Sequence, residues 1–280
     1  MVRVRSRAGR GLIALLTDFG IHNHYAGTMK GVVLGICPAA TLVDLTHAIP
    51  PQDVLTGALE LADACRYFPS GTIFLAVVDP AVGSARRAMA VEAGGYLFVA
   101  PDNGLLTVVL NETPPTRLVE LSNPLYALPT VSSTFEGRDR FAPAAAWLAT
   151  GVDLGALGRP LVEWHRLAVP EPRASEGRIE GEVLRVDHFG NLITNIGRDL
   201  FDRVAAGSTD LEIVAGGHSA RIVTTYAEAE SGDLCALFGS TGQLEIAVNG
   251  GSAAARLAVG RGGPVTIDVL GFRVHGRACH

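Results

Sequence analysis

Acidic side chains recur in this sequence where apolar runs stop. Asp18 ends LIALLTD, Asp44 ends TLVD and Asp79 ends TIFLAVVD. In open sheets of parallel strands, binding and catalytic groups collect beyond the carboxyl ends of the strands. Carboxylates at such ends can accept a proton, accept hydrogen bonds from hydroxyls or face a cation. Further polar clusters punctuate the chain. VVDPAVGSARR carries Arg86 and Arg87 after Asp79, APDNGLL carries Asn103, and STFEGRD sets Glu136 just ahead of an Arg-Asp pair; VDHFGNLITNI and FGSTGQLEIAVNGG follow in the second half. Taken singly, each reads equally well as a turn.

His22 and His24 form an H-x-H pair close to Asp18, and His47 follows Asp44. Carboxylate and imidazole clusters of this kind bind divalent metals. The pair falls in a loop, however, and a metal would need carboxylates converging on it, so no metal site is assigned. The chain has no Walker-type phosphate loop, no G-x-G-x-x-G after a strand and no G-x-S-x-G elbow, which removes the main support for nucleoside triphosphate, dinucleotide and serine-hydrolase chemistry.

These groups must be carried by a folded scaffold. Of the 280 residues, 48% are hydrophobic and 18% charged, enough apolar material for more than one core and far from a disordered composition. The net charge of -5 lacks the basic footprint that a phosphate backbone requires, so nucleic acid is not an expected partner. Cys37, Cys65, Cys235 and Cys279 show no C-x-x-C spacing and are read as reduced packing residues of a cytoplasmic protein. The Arg-rich start meets Asp18 before any cleavage-like site, so residues 1–11 are expected as a disordered tail rather than a secretion signal. No apolar stretch reaches the roughly 18 residues of a membrane span, and no membrane association is expected.

From residue 12, short β-type runs alternate with amphipathic segments such as YAGTMKGVVLGIC and DVLTGALELADACRYF. This alternation predicts parallel strands with crossover helices, an α/β domain over residues 12–168. The aperiodic stretch 169–178, rich in Pro and charge, is expected as a linker. Over 179–275 the pattern changes to short strands divided by Gly, Asn and Asp, which suits a small antiparallel barrel or sandwich.

In order, the clusters LLTDFG, MKGV, VDLTHAIPPQDV, VVDPAVGSARR, APDNGLL, STFEGRDRFAP and DHFGNLITNI resemble the S-adenosylmethionine hydroxide adenosyltransferases, or SAM hydrolases, relatives of the fluorinating and chlorinating enzymes. The resemblance runs over roughly residues 12 to 270. It implies an α/β N-terminal domain with a mostly parallel sheet and a smaller antiparallel β-barrel C-terminal domain. It further implies a homotrimer, with substrate held where the N-terminal domain of one subunit meets the C-terminal domain of another. The implied reaction takes S-adenosylmethionine (SAM) and water to adenosine and L-methionine, with SAM as substrate and no cofactor.

Site residues follow by resemblance. Asp79 and Arg86 match an Asp and an Arg around the attacking water, and the third group of that set is a His where this chain has Glu136. An ionised Glu accepts hydrogen bonds and cannot donate them as a His can. Glu136 thus pairs with Arg86 and orients water, shares a proton with Asp79, or abolishes hydrolysis. Asp18 matches the ribose ligand, Asn191 the reader of the adenine edge, and Phe189 and Tyr226 the apolar or stacking positions at the base. Asp187 and Ser240 match contacts to the methionine amino and carboxylate groups, with Asn23 in the loop at that end. Val248 and Asn249 match backbone contacts to adenine, and Asn103 is either a turn residue or part of the nucleophile pocket. Thr241 stands after Ser240 where the family pattern can carry Arg, which weakens the expected grip on the carboxylate. Two alternatives stay open: a non-catalytic adenosine- or SAM-binding protein, and an enzyme for another 5′-substituted adenosine. Halogenation is disfavoured, because Asp79 and Glu136 would repel a halide.

Overall fold

The computed structural model describes residues 11–208 and 210–270. The tail assigned to residues 1–11, apart from Gly11, lies outside the described residues, as do Cys279 and residues 271–275. The chain forms two compact units, Met1–Val169 and Pro170–His280.

Six strands build the N-terminal sheet: β1 (Leu12–Thr17), β2 (Thr41–Thr46), β3 (Ile73–Val77), β4 (Ala88–Ala93), β5 (Tyr96–Pro101) and β6 (Arg117–Glu120), in the order β2-β1-β3-β5-β4-β6. The pairings among β2, β1, β3 and β5 are parallel; β4 runs antiparallel to β5 and β6. Helices α1 (Tyr25–Ile36) and α2 (Val54–Cys65) make the first crossovers, followed by α3 (Thr107–Glu112) and α4 (Ala142–Ala149). The central strands are buried on both faces, which is why they read as unbroken apolar runs. Ile13, Leu15, Leu75 and Val77 join a core with Met29, Val33 and the α4 alanines. Ala14, Leu16, Phe74 and Ala76 face the opposite core with Leu61 and Val109. The β4–β5 hairpin turns on Gly94 and Gly95, with φ of 59° and 83°, a left-handed pair that glycine adopts without steric cost.

The C-terminal unit contains β7 (Arg173–Ser175), β8 (Arg178–Val186), β9 (Leu192–Gly197), β10 (Leu211–Ala215), β11 (His218–Ile222), β12 (Leu234–Phe238), β13 (Gln243–Val248) and β14 (Pro264–Val269). The strand order is β14-β10-β11-β12-β13-β9-β8-β7, and β14 also pairs with β8. That last pairing closes seven strands into a barrel and leaves β7 as an edge strand on β8. Closure removes the exposed edges that a small sheet would otherwise present. The barrel is antiparallel except at β11 and β12, which pair in parallel. Its interior is filled by Ile179, Val183, Leu192, Ile196, Ile213, Leu244, Ile246 and Ile267, joined by Phe201 from α5 (Arg198–Ala205) and Leu257 from α6 (Ala253–Leu257). Cys37, Cys65 and Cys235 are buried free thiols, and no described helix is long and apolar enough to cross a membrane.

Candidate active site

Register delivers the first two acids. In the parallel pair of β1 and β3, Thr17 lies opposite Val77, so Asp18 and Asp79 emerge at the same carboxyl edge. Asp18 Oδ2 accepts a hydrogen bond of 2.8 Å from the Gln52 N–H, and Gln52 holds φ at 66°, a left-handed conformation unusual outside glycine. Burial pushes the Asp18 carboxyl up; the Gln52 N–H opposes this and the neighbouring Asp79 charge adds to it. Asp44, the other strand-end acid, is not in the cleft. Its carboxylate accepts from Lys30 Nζ at 2.6 Å and lies 3.0 Å from His47 Nε2, while His47 Nδ1 is 2.8 Å from Thr17 Oγ1. Both ring nitrogens of His47 are thereby occupied in tying β2 to the end of β1. Among the described residues no group of three or more metal-ligating side chains is present.

Arg86 joins Asp79 to Glu136. Its Nε donates to Asp79 Oδ1 and Oδ2 at 3.0 and 2.9 Å, and one terminal nitrogen donates both to Asp79 Oδ2 and, at 2.8 Å, to Glu136 Oε2. All three side chains are largely buried: 5% of Asp79, 8% of Arg86 and 12% of Glu136 is exposed. The guanidinium also lies over the Phe141 ring, 5.3 Å from its centroid. Burial works against the Arg86 charge, but its bonds to both carboxylates prevail and hold its pKa above the ordinary value. The Arg86 guanidinium thus bridges the two acids. Glu136 reaches this position because it precedes a single π-helical turn, Gly137–Phe141, that runs into α4; such turns widen a helix locally and are frequent at functional sites. Arg140 adds a longer contact, 3.7 Å from Glu136 Oε2.

Asp18, Asp79 and Glu136 line a cavity of about 640 Å³. Sequence reasoning missed its aromatic side. Phe19, Tyr25 and Phe135 meet edge to face with centroids 5.1 to 5.9 Å apart, and all three line the cavity. Phe19 and Phe135 directly adjoin Asp18 and Glu136 in sequence, a signal that was there to find. Three expected residues stand apart from this wall: Arg86, which is joined to it through Asp79 and Glu136, Asn23 and Asn103. Asn23 is exposed in the loop before α1, and Asn103 acts as a turn residue: its Nδ2 donates to Val78 O at 2.8 Å and its Oδ1 accepts from Leu105 N at 3.2 Å. Asn103 therefore braces the strand end that carries Asp79. Arg87 pins a loop instead of facing the cavity, donating to Asp102 and to Glu163 O.

The C-terminal unit has its own cavity, of about 890 Å³, lined by Asp187, Phe189, Asn191, Tyr226, Ser240, Val248 and Asn249 together with Glu245. Every site residue expected in this half is thus on one wall. Asp187 organises the β8–β9 connection: Oδ1 accepts from the N–H groups of Phe189 and Asn191, and Oδ2 from Asn191 Nδ2 at 2.9 Å. Gly190 holds φ at 84°, and a Cβ there would collide with Ser252, so only glycine fits. The backbone atoms expected to meet adenine are partly engaged already: Asn249 N donates to Asp233 O, and Val248 O accepts from Gly251 N. Thr241 Oγ1 is buried with no hydrogen-bond partner among the described residues. Glu245, unremarked in the sequence reading, accepts from the Tyr226 hydroxyl at 2.7 Å. Burial first, and Glu245 next, raise the Tyr226 phenol above its ordinary pKa.

Comparison with known proteins agrees with this division. Residues 13–158 match the SAM hydroxide adenosyltransferase N-terminal domain, and residues 181–266 match the corresponding C-terminal domain. A Thermus thermophilus protein named (R)-S-adenosyl-L-methionine hydrolase is 42% identical over 262 residues, covering 91% of this chain and 98% of that one. A fluorinase from an Actinoplanes species is 34% identical, covering 86% of this chain and 92% of its own. The crystal structure of an uncharacterized conserved protein from Thermotoga maritima superposes with a TM-score of 0.87 at 37% identity, over 91% of this chain and 99% of that one. With both domain models matched in order across the two units that carry the cavities, the chain belongs to the SAM hydroxide adenosyltransferase family.

Proposed function

We propose that the protein hydrolyses S-adenosyl-L-methionine to adenosine and L-methionine, with no cofactor. The observation that carries this reading is one cleft walled by Asp18, Asp79 and Glu136, the last two joined by the buried Arg86. Water attacks C5′ of the adenosyl group, the C5′–O bond forms and the C5′–S bond breaks. Sulfur departs as a neutral thioether, so the leaving group needs no proton. The site's work is to hold water in line with the C5′–S bond and to take its proton. Asp79 is the acceptor, Arg86 fixes it and stabilises developing hydroxide, and Glu136 holds Arg86 from the other side. Asp18 accepts both hydroxyls of the ribose. Three carboxylates on the cleft wall favour a cationic sulfonium and disfavour a halide nucleophile.

The C-terminal cavity takes the remainder of the substrate, with Asn191 and Phe189 at the base. We place the working form in the cytoplasm as a homotrimer in which the N-terminal cleft of one subunit and the C-terminal cavity of another hold one substrate. The 74% exposure of Phe189 on the cavity wall supports a covering partner. The test is chromatographic: purified protein is incubated with SAM and adenosine is followed. Adenosine release is expected, and Asp79→Ala lowers it about 100- to 10,000-fold, the usual span for a general base. SAM binding without adenosine release would favour a non-catalytic binding protein.

A further inference from the structure

The C-terminal cavity holds an acid that its surroundings keep in an unusual place. On β13, Leu244 and Ile246 join the barrel interior, so strand alternation sends Glu245 to the outer face, where side chains are normally solvated. Glu245 is nevertheless only 8% exposed. Gly239 closes over it, since a Cβ at that position would run into Glu245 Oε1, while the Tyr226 hydroxyl donates to Oε2 at 2.7 Å. Burial pushes its carboxyl up, opposed by the Tyr226 bond; Asp187 adds to the rise, and Arg185 attracts the charge from outside the cavity lining. A carboxylate held in a cavity wall at a desolvation cost is suited to a cationic ligand group.

The charge of the walls points the same way. Asp187 and Glu245 are the charged residues among the described lining of this cavity, which includes no Lys or Arg. In the N-terminal unit, Arg86 is engaged by Asp79 and Glu136, and Arg138 of the cleft wall by Asp139. Apart from His24, whose Nδ1 lies 3.0 Å from Thr28 Oγ1 in the N-terminal cleft, the described lining of the two cavities offers a ligand carboxylate no basic side chain free of an acidic partner, while the C-terminal cavity offers an ammonium two acids.

We propose that Glu245, seated by Tyr226 and Gly239, is a specificity-determining residue that takes the ammonium of the substrate side chain, and that the site accepts adenosyl sulfoniums whose chain keeps the amine and lacks the carboxylate. The proposal rests on the hydrolase reading above. With such a substrate the bonds made and broken are unchanged: water oxygen joins C5′, the thioether leaves, and the water proton passes to the base. The products are adenosine and an amine-bearing methyl thioether.

The experiment compares three compounds on the full-length protein: SAM, decarboxylated SAM, and the analogue that keeps the carboxylate and lacks the amine. Because a hydrogen bond to a charged group is worth about 10- to 100-fold, decarboxylated SAM should retain kcat/KM within about tenfold of SAM, while the amine-less analogue falls by about 10- to 100-fold. Glu245→Gln should raise KM for both amine-bearing compounds by about tenfold or more, change kcat less, and leave the amine-less analogue unaffected. Tyr226→Phe, which keeps the carboxylate, should show the same pattern more weakly. A loss of more than about 100-fold on removing the carboxylate, or an unchanged KM in Glu245→Gln, overturns the proposal. If Glu245→Gln does not fold, the substrate series on the unmodified protein decides. Should SAM itself not be hydrolysed, the hydrolase reading fails separately, and calorimetric affinities for the three compounds decide: dependence on the amine sustains the proposal, dependence on the carboxylate overturns it.

Discussion

Glu136 donates no hydrogen bond to a water when ionised, yet it occupies the position from which the Arg86 guanidinium is held against Asp79. Its negative charge is the property that matters in that role, and Gln, nearly isosteric, removes the charge alone. Glu136→Gln should therefore lower kcat by about 10- to 100-fold, the worth of one charge-assisted hydrogen bond, with the thermal midpoint showing that the fold survives; an unchanged kcat would remove Glu136 from the array. Asp18 gives a pH test. Its pKa lies above the ordinary 3.8, so the carboxylate proposed to accept the ribose hydroxyls is fully ionised only above that raised value. Adenosine affinity, read by calorimetry across pH, should be full near neutrality and fall on acidification at a pH higher than an ordinary Asp would give. The same shift makes ionised Asp18 a cost to folding: the stabilisation that its proton brings is present at low pH and lost as pH rises through the raised pKa. Asp18→Asn should abolish both the inflection and most of the affinity.

Elements place these residues, and their legibility in the sequence differed for physical reasons. Strands β1 and β3 were plain, because burial on both faces makes LIALLT and IFLAV continuously apolar, and the acids that follow them were legible with them. The β4–β5 hairpin was not: AMAVEAGGYLFVAP is apolar apart from Glu92, and the left-handed Gly94–Gly95 pair is what divides it into two strands. Within the stretch read as a linker, Arg173–Ser175 forms β7, a strand too short and too exposed to leave a periodic trace. Glu136 and Arg86 lie 50 positions apart, and no local pattern joins them; the resemblance did. The contact that sets their loops together is Gly83, with φ of 80°, where a Cβ would strike Ser133 O. Gly83→Ala should cost about 1–3 kcal/mol of stability in denaturant titrations. It should also lower kcat more than KM rises, because it separates Arg86 from Glu136; unaltered kinetics would show the array tolerates that separation.

At the scale of the molecule, each unit holds a cavity, one walled by Asp18, Asp79 and Glu136 and the other by Phe189, Asn191 and Glu245, and the proposed function divides SAM between them. A trimer that shares its sites makes a definite prediction. Asp79→Ala and Asn191→Ala chains, each nearly inactive alone, should regain activity when unfolded and refolded together, and light scattering should report three chains. Absence of regained activity in mixed trimers would place both halves of each site in a single chain. The central claim, attack of water on C5′, is tested most directly by running the reaction in water enriched in oxygen-18 and analysing both products by mass spectrometry. The account predicts one heavy oxygen in adenosine, at the 5′-hydroxyl, and none in methionine; adenosine without the label, or no adenosine at all, would contradict it.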